Sequence, residues 1–126
     1  MHILMCNDDG ILADGLRRLA SYLSHYYRIT VVAPANEQSA KSHALTTEIP
    51  LKLDAYNGED ENPRLYALTG TPSDCMKFGL SYLLIDDMPD LVISGINHGF
   101  NLGSDVLYSG TVSAAMESCF YGIPGL

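Results

Sequence analysis

Basic residues are scarce in this sequence: 7 Lys and Arg stand against 15 Asp and Glu in 126 residues, a formal net charge of −8. Non-specific binding of a nucleic-acid duplex depends on Lys and Arg neutralising phosphates, so that function class is excluded. An anionic ligand would instead need positive charge from a metal ion or from helix N-termini. Cysteine is also sparse, with Cys6, Cys75 and Cys119 widely spaced and odd in number. Such a set suits neither a disulfide framework nor a zinc knuckle, and the expectation is a reduced, cytoplasmic protein. No apolar run reaches the ~18 to 20 residues of a membrane span, and the N-terminus lacks a basic, then apolar leader, so no membrane partner is expected.

What is present is enough apolar side chain, 47% of the residues, to build one core, and residues 1–126 are expected to form a single α/β domain. His2-Ile3-Leu4-Met5-Cys6 reads as a buried strand that ends abruptly in the turn-forming Asn7-Asp8-Asp9-Gly10. Leu16, Leu19, Ala20, Leu23 and Tyr27 recur at helical spacing, with Asp14 as the expected N-cap. Ile29 to Ala33 is a second strand stopped by Pro34, which completes a βαβ unit.

Leu51 to Tyr56 and Leu65 to Thr69 predict a hairpin around the acidic stretch 57–63. Thr71-Pro72-Ser73-Asp74 has the pattern of a helix start, with Thr as cap and Pro at the first helical position. Met76, Gly79, Leu80 and Leu83 give that helix its stripe. Leu91 to Ser94 predicts a third core strand, ending in Gly95-Ile96-Asn97. The stripe of a last helix is Val112, Ala115, Met116, Cys119 and Phe120. Beyond it, Gly122-Ile123-Pro124 leads towards what should be one more strand.

Ligands of open α/β sheets bind beyond the carboxyl ends of the strands. Three of the predicted strands end in polar clusters: Asn7-Asp8-Asp9-Gly10, the stretch 34–42, and Gly95-Ile96-Asn97. Neighbouring carboxylates repel unless a counter-ion joins them, so Asp8 and Asp9 are candidate metal ligands. The same tetrapeptide also suits a plain tight turn. Ser39 is either a ligand hydroxyl or an ordinary loop serine, and Asn97 either a ligand amide or a left-handed turn residue. Together the four would offer hard oxygens, suited to magnesium, manganese or calcium rather than zinc.

The stretch from Asn97 to Asp105 carries three polar-glycine steps and leads through Ser109-Gly110-Thr111 into the last helix. Glycine lets a backbone approach an anion closely, and free N–H groups at a helix start add partial positive charge. Neither a P-loop nor a dinucleotide fingerprint is present, and no Gly-x-Ser-x-Gly elbow occurs. The four histidines show no His-x-x-x-His pair, and only His98 falls inside a candidate site.

These motifs resemble the SurE family of stationary-phase survival proteins. The resemblance rests on Asn7-Asp8-Asp9-Gly10, Val32-Ala33-Pro34 leading to Gln38-Ser39, Gly70-Thr71-Pro72-Ser73-Asp74-Cys75, Ser94 through Gly103, and Tyr108 through Glu117. It implies a Rossmann-like three-layer fold with a mostly parallel sheet, here lacking the family's later part. It also implies a phosphoric monoester hydrolase, a 5′-nucleotidase resembling acid phosphatases in reaction, acting on nucleoside 5′-monophosphates and also on the 3′ isomers. One Mg2+ or Mn2+ per subunit would be bound by Asp8, Asp9, Ser39 and Asn97, with Asp8 and Asp9 as the catalytic pair. Asn97, Asn101, Ser109, Gly110 and Thr111 would lie at the phosphate, and a homodimer or homotetramer is expected. Ala40 and Ser118 stand where the family usually has glycine. The alternative is a truncated, non-catalytic nucleotide- or metal-binding module. With the later elements missing, the chain is expected to associate through an exposed sheet edge or to be part of a longer one.

Overall fold

The computed structural model describes residues 1–37, 50–97 and 109–126. The chain runs through β1 (His2–Cys6), α1 (Asp14–Leu23), β2 (Arg28–Pro34), β3 (Leu53–Ala55), β4 (Arg64–Leu68), α2 (Pro72–Phe78), a π-helical turn (Gly79–Leu83), β5 (Leu91–Ser94) and α3 (Gly110–Phe120). Five strands form one sheet in the order β3-β4-β2-β1-β5. All neighbours are parallel except β3, which runs antiparallel to β4 with Leu53 opposite Leu68.

Alternation along the strands divides the core into two layers, because successive side chains point to opposite faces. Ile3, Met5, Ile29, Val31 and Ala33 pack with Leu16 and Ala20 of α1 on one face. Leu4, Cys6, Val32, Leu68 and Val92 pack with Cys75, Met76, Leu80 and Ala114 on the other. Helices on both faces of a mostly parallel sheet make a three-layer Rossmann-like α/β architecture, as expected.

The expected strand after Pro124 begins to form. Val92 N–H donates to Pro124 O at 2.9 Å, Leu126 N–H to Val92 O at 3.0 Å and Ser94 N–H to Leu126 O at 2.8 Å. Residues 124–126 thus lie parallel beside β5. The parallel order β4-β2-β1-β5, continued by this segment, is that of a doubly wound sheet whose direction of growth reverses between β1 and β5. Among the described residues no helix is long and apolar enough to cross a membrane.

The structure corrects several expectations. Ala13, not Asp14, is the N-cap of α1 and makes no side-chain cap hydrogen bond; Asp14 is the first helical residue. Its carboxylate still lies in the positive first turn, so the charge preference holds while the cap geometry does not. The helix ends at Leu23, short of Tyr27. The hairpin forms, but β4 is also a central strand, hydrogen-bonded to β2 from Thr30↔Arg64 to Pro34↔Leu68.

The largest correction concerns α3. Its buried residues are Gly110, Thr111, Ser113, Ala114 and Ser118, whereas Met116 and Phe120 are 47% and 79% exposed. Cys119 is exposed as well, while Cys6 and Cys75 are buried. Small residues let α3 approach α2 and the sheet closely, so the apolar stripe is turned outward. It borders a groove of about 230 Å3 lined by Val112, Ala115, Met116, Cys119 and Leu126.

Candidate active site at the switch point

Beyond Cys6 the chain turns sharply, and Asn7 makes the turn. Its buried side chain accepts from Gly10 N–H at 3.1 Å and donates to Gly10 O at 3.2 Å. Gly10 has φ +99°, and a Cβ there would come 3.3 Å from Pro34 O. Ile11 N–H donates to that same carbonyl at 2.9 Å, tying the turn to the end of β2. The turn reading of this tetrapeptide is therefore correct for Asn7 and Gly10. Between them, the loop presents Asp8 and Asp9.

Asp8 is 7% exposed and packed against the start of α3. A Cβ added to Gly110 would lie 2.9 Å from Asp8 Cβ, 3.5 Å from Asp8 Oδ2 and 3.0 Å from Pro72 Cγ. Only glycine permits this approach, which sets the first turn of α3 against both Asp8 and Pro72, the first residue of α2. Thr111 Oγ1 donates to Asp8 Oδ1 at 2.8 Å. Ser109 caps α3, its hydroxyl oxygen accepting from Val112 N–H at 3.3 Å. Ser113 Oγ donates to Ser109 O at 2.8 Å and closes that turn.

The first turn of α2 is held by a reciprocal capping box. Asp74 N–H donates to Thr71 Oγ1 at 3.2 Å, and Thr71 N–H donates to Asp74 Oδ2 at 2.9 Å. The first turn of α1 lies against the end of β5, where a Cβ on Gly15 would be 3.4 Å from Ile96 Cβ. Three helix N-termini thus face the carboxyl edge of the sheet, and their partial positive charge favours anions there.

β5 supplies Asn97. Gly95 N–H donates to Cys6 O at 2.8 Å, so the two chains leave the sheet side by side. Asn97 follows two residues later and is half-buried, as is Asp9. Asp8, Asp9 and Asn97 therefore come from adjacent strands at the point where the sheet order reverses. Ser39 and Asn101 lie outside the described residues, as does His98.

These residues fit a hard divalent cation. Two adjacent carboxylates and an amide give an all-oxygen donor set, suited to Mg2+ or Mn2+. Among the described residues Asp8 enters no ion pair, and no group of three or more His, Cys, Asp or Glu comes together that could hold a metal ion, so the amide of Asn97 is needed beside the two carboxylates. At the other end of the sheet Asp87 meets Arg28 at 2.6 Å and Arg64 at 3.9 Å beside the buried His2. An open basin of about 720 Å3 at that end, lined by His2, Tyr27, Arg28 and Asp87, is remote from the strand ends that carry the carboxylates.

Sequence reasoning missed two links in the site. Nothing in the sequence signals that the Thr111 hydroxyl is directed to Asp8 across 103 positions. Nor does it signal that Gly110 makes room for the Asp8 side chain.

A Rossmann-like sheet whose switch point carries paired carboxylates and an amide places the chain in the class of doubly wound α/β domains. Within that class the chain belongs to the SurE family: the family model, described as survival protein SurE, matches residues 3–126. The 5′-nucleotidase SurE of a Thermoanaerobacter species is 54% identical over 126 residues, covering 100% of this chain and 49% of that protein. The 5′-nucleotidase SurE of Vibrio vulnificus is 50% identical over 126 residues, covering 100% of this chain and 48% of that protein. The crystal structure of the SurE protein from Aquifex aeolicus superposes with a TM-score of 0.86 at 43% identity, covering 99% of this chain and 49% of that one. The chain thus spans about half the length of the relatives it matches.

Proposed function

We propose that this chain carries the cation- and phosphate-binding half of a nucleoside monophosphate phosphatase, which releases phosphate and a nucleoside. The observation that carries this reading is the buried Asp8 carboxylate set against the first turn of α3, with Asp9 beside it and Asn97 on the neighbouring strand. Asp8, Asp9, Asn97 and the hydroxyl of Ser39 would hold one Mg2+ or Mn2+. A divalent ion there supplies charge neutralisation and polarisation of the phosphoryl oxygens.

The rest of the chemistry falls to the chain itself. Backbone N–H groups at the start of α3, around Ser109, Gly110 and Thr111, would bind the phosphoryl oxygens as a helix N-terminus binds any anion. Asn101, which precedes α3 in the sequence, would join them. Asp9, the more exposed residue of the pair, would orient the attacking water. The names of the relatives, 5′-nucleotidases, support the substrate class.

The same reading takes residues 1–126 as part of one α/β domain in a cytoplasmic homodimer or homotetramer. Its three free cysteines and the outward apolar stripe of α3 support those assignments. That the chain spans half of its relatives favours a second reading, a binding module that needs further residues for turnover. Phosphate release from AMP, measured with Mn2+ and with excess chelator, separates the two. Turnover that stops with chelator and returns with Mn2+ supports the phosphatase; Mn2+ binding without turnover supports the module.

A further inference from the structure

Asp8 and Thr111 are 7% and 8% exposed, and the hydroxyl of one meets a carboxylate oxygen of the other at 2.8 Å. A threonine hydroxyl has one proton to donate. Here that proton is directed to Asp8 Oδ1, so it is not available to a phosphate oxygen. Among the described residues Oδ2 accepts no hydrogen bond, and it lies beside the empty Cβ position of Gly110. The carboxylate is therefore held by one oxygen and left open at the other.

We propose that Thr111 is a positioning residue for Asp8, fixing its rotamer so that Oδ2 is presented to the cation. The proposal rests on the cation reading of the site and adds a role distinct from phosphate binding. Its physical basis is the cost of ordering: a carboxylate already held in its ligating rotamer loses less freedom on binding. Because Thr111 lies in the first turn of α3, it also ties the anion-binding helix start to the cation ligand. Hydrogen-bond partners of metal ligands are worth about 10- to 100-fold in metal affinity or activity, which sets the effect expected here.

The test is Mn2+ titration of the full chain without substrate, following the free aqua-ion signal by electron paramagnetic resonance. Thr111→Val keeps the methyl that faces Gly95 and removes only the hydroxyl; Thr111→Ser does the reverse. Thermal melts without metal confirm that each variant is folded. The expected result is at least 10-fold weaker Mn2+ binding in Thr111→Val, with Thr111→Ser within a few-fold of the wild type. Equal loss in both variants would mean that the methyl packing matters, and would overturn the proposal. So would unchanged affinity in Thr111→Val while Asp8→Asn loses binding, and this outcome would leave the cation reading intact. A wild-type chain that binds no Mn2+ would remove the cation reading itself and the proposal with it.

Discussion

Cys6 and Ser94 are register partners on the last rung between β1 and β5, and the hydrogen bond from Gly95 N–H to Cys6 O carries that pairing one step further. Asp8 and Asp9 therefore leave the sheet next to Asn97. A ligand bridging them would bind the folded chain alone, and saturation should raise stability by about 2.7 kcal/mol at a hundredfold excess over Kd. Mn2+ is expected to raise the melting temperature of the wild type. In Asp8→Asn and in Asp9→Asn the shift should shrink or vanish. An equal shift in all three proteins would place the ion elsewhere.

Gly110→Ala tests the close approach of α3. Its Cβ would sit 2.9 Å from Asp8 Cβ, an atom attached directly to the backbone, and 3.0 Å from the Pro72 ring. Neither neighbour is the tip of a flexible side chain, so the helix must move. Overpacking of this kind costs about 1–3 kcal/mol, which urea denaturation would read as a lower midpoint. Mn2+ affinity should fall as well, because Asp8 is displaced.

Thr71→Ala removes one arm of the capping box that starts α2. Loss of a threonine cap costs about 0.5–2 kcal/mol, and burial of Thr71 and Asp74 puts the expectation in the upper half of that range. Thr71→Ser should recover most of it. Chemical denaturation of the two variants checks this order.

His2 gives the chain a pH dependence in the mildly acidic range. Burial pushes its pKa below 6.5; Arg28 and Arg64 act in the same direction, and Asp87 opposes them. Thr30 Oγ1 meets its Nε2 at 2.9 Å, and its backbone N–H donates to Asp90 Oδ2 at 2.7 Å. The unfolded chain therefore takes up this proton at a higher pH than the folded one does. The contribution of His2 is fully present above 6.5 and is lost as pH falls through that value towards the folded pKa. Melting temperatures taken from pH 7.5 to 5 should fall in the wild type and fall less in His2→Gln.

The outward stripe of α3 predicts association. Met116 and Phe120 are large, apolar and exposed on one helix face beside the edge formed by residues 124–126. Native mass by light scattering should exceed the 13.7 kDa of a single chain. Met116→Ser with Phe120→Ser should return it to that value. Surface substitutions of this kind usually change stability by no more than about 0.5 kcal/mol, so the melting temperature should barely move.

The sequence alone determined what depends on near neighbours. The apolar runs of β1, β2 and β5 and the Thr71 cap of α2 were legible because periodicity and caps act within a few positions. Asp8, Asp9 and Asn97 were legible as site candidates for the same reason, each being polar where an apolar strand ends. Tertiary structure decided what depends on distant partners. It placed β4 beside β2, made Ala13 the cap of α1, and brought Thr111 to Asp8 across 103 positions. It also chose the face of α3 that is buried, against its apolar stripe. Spacing identifies a helix and its faces, but what packs against them is set by the elements that arrive from elsewhere. In α3 those elements are α2 and the sheet, and only the small face of Gly110, Ser113, Ala114 and Ser118 is narrow enough for their close approach.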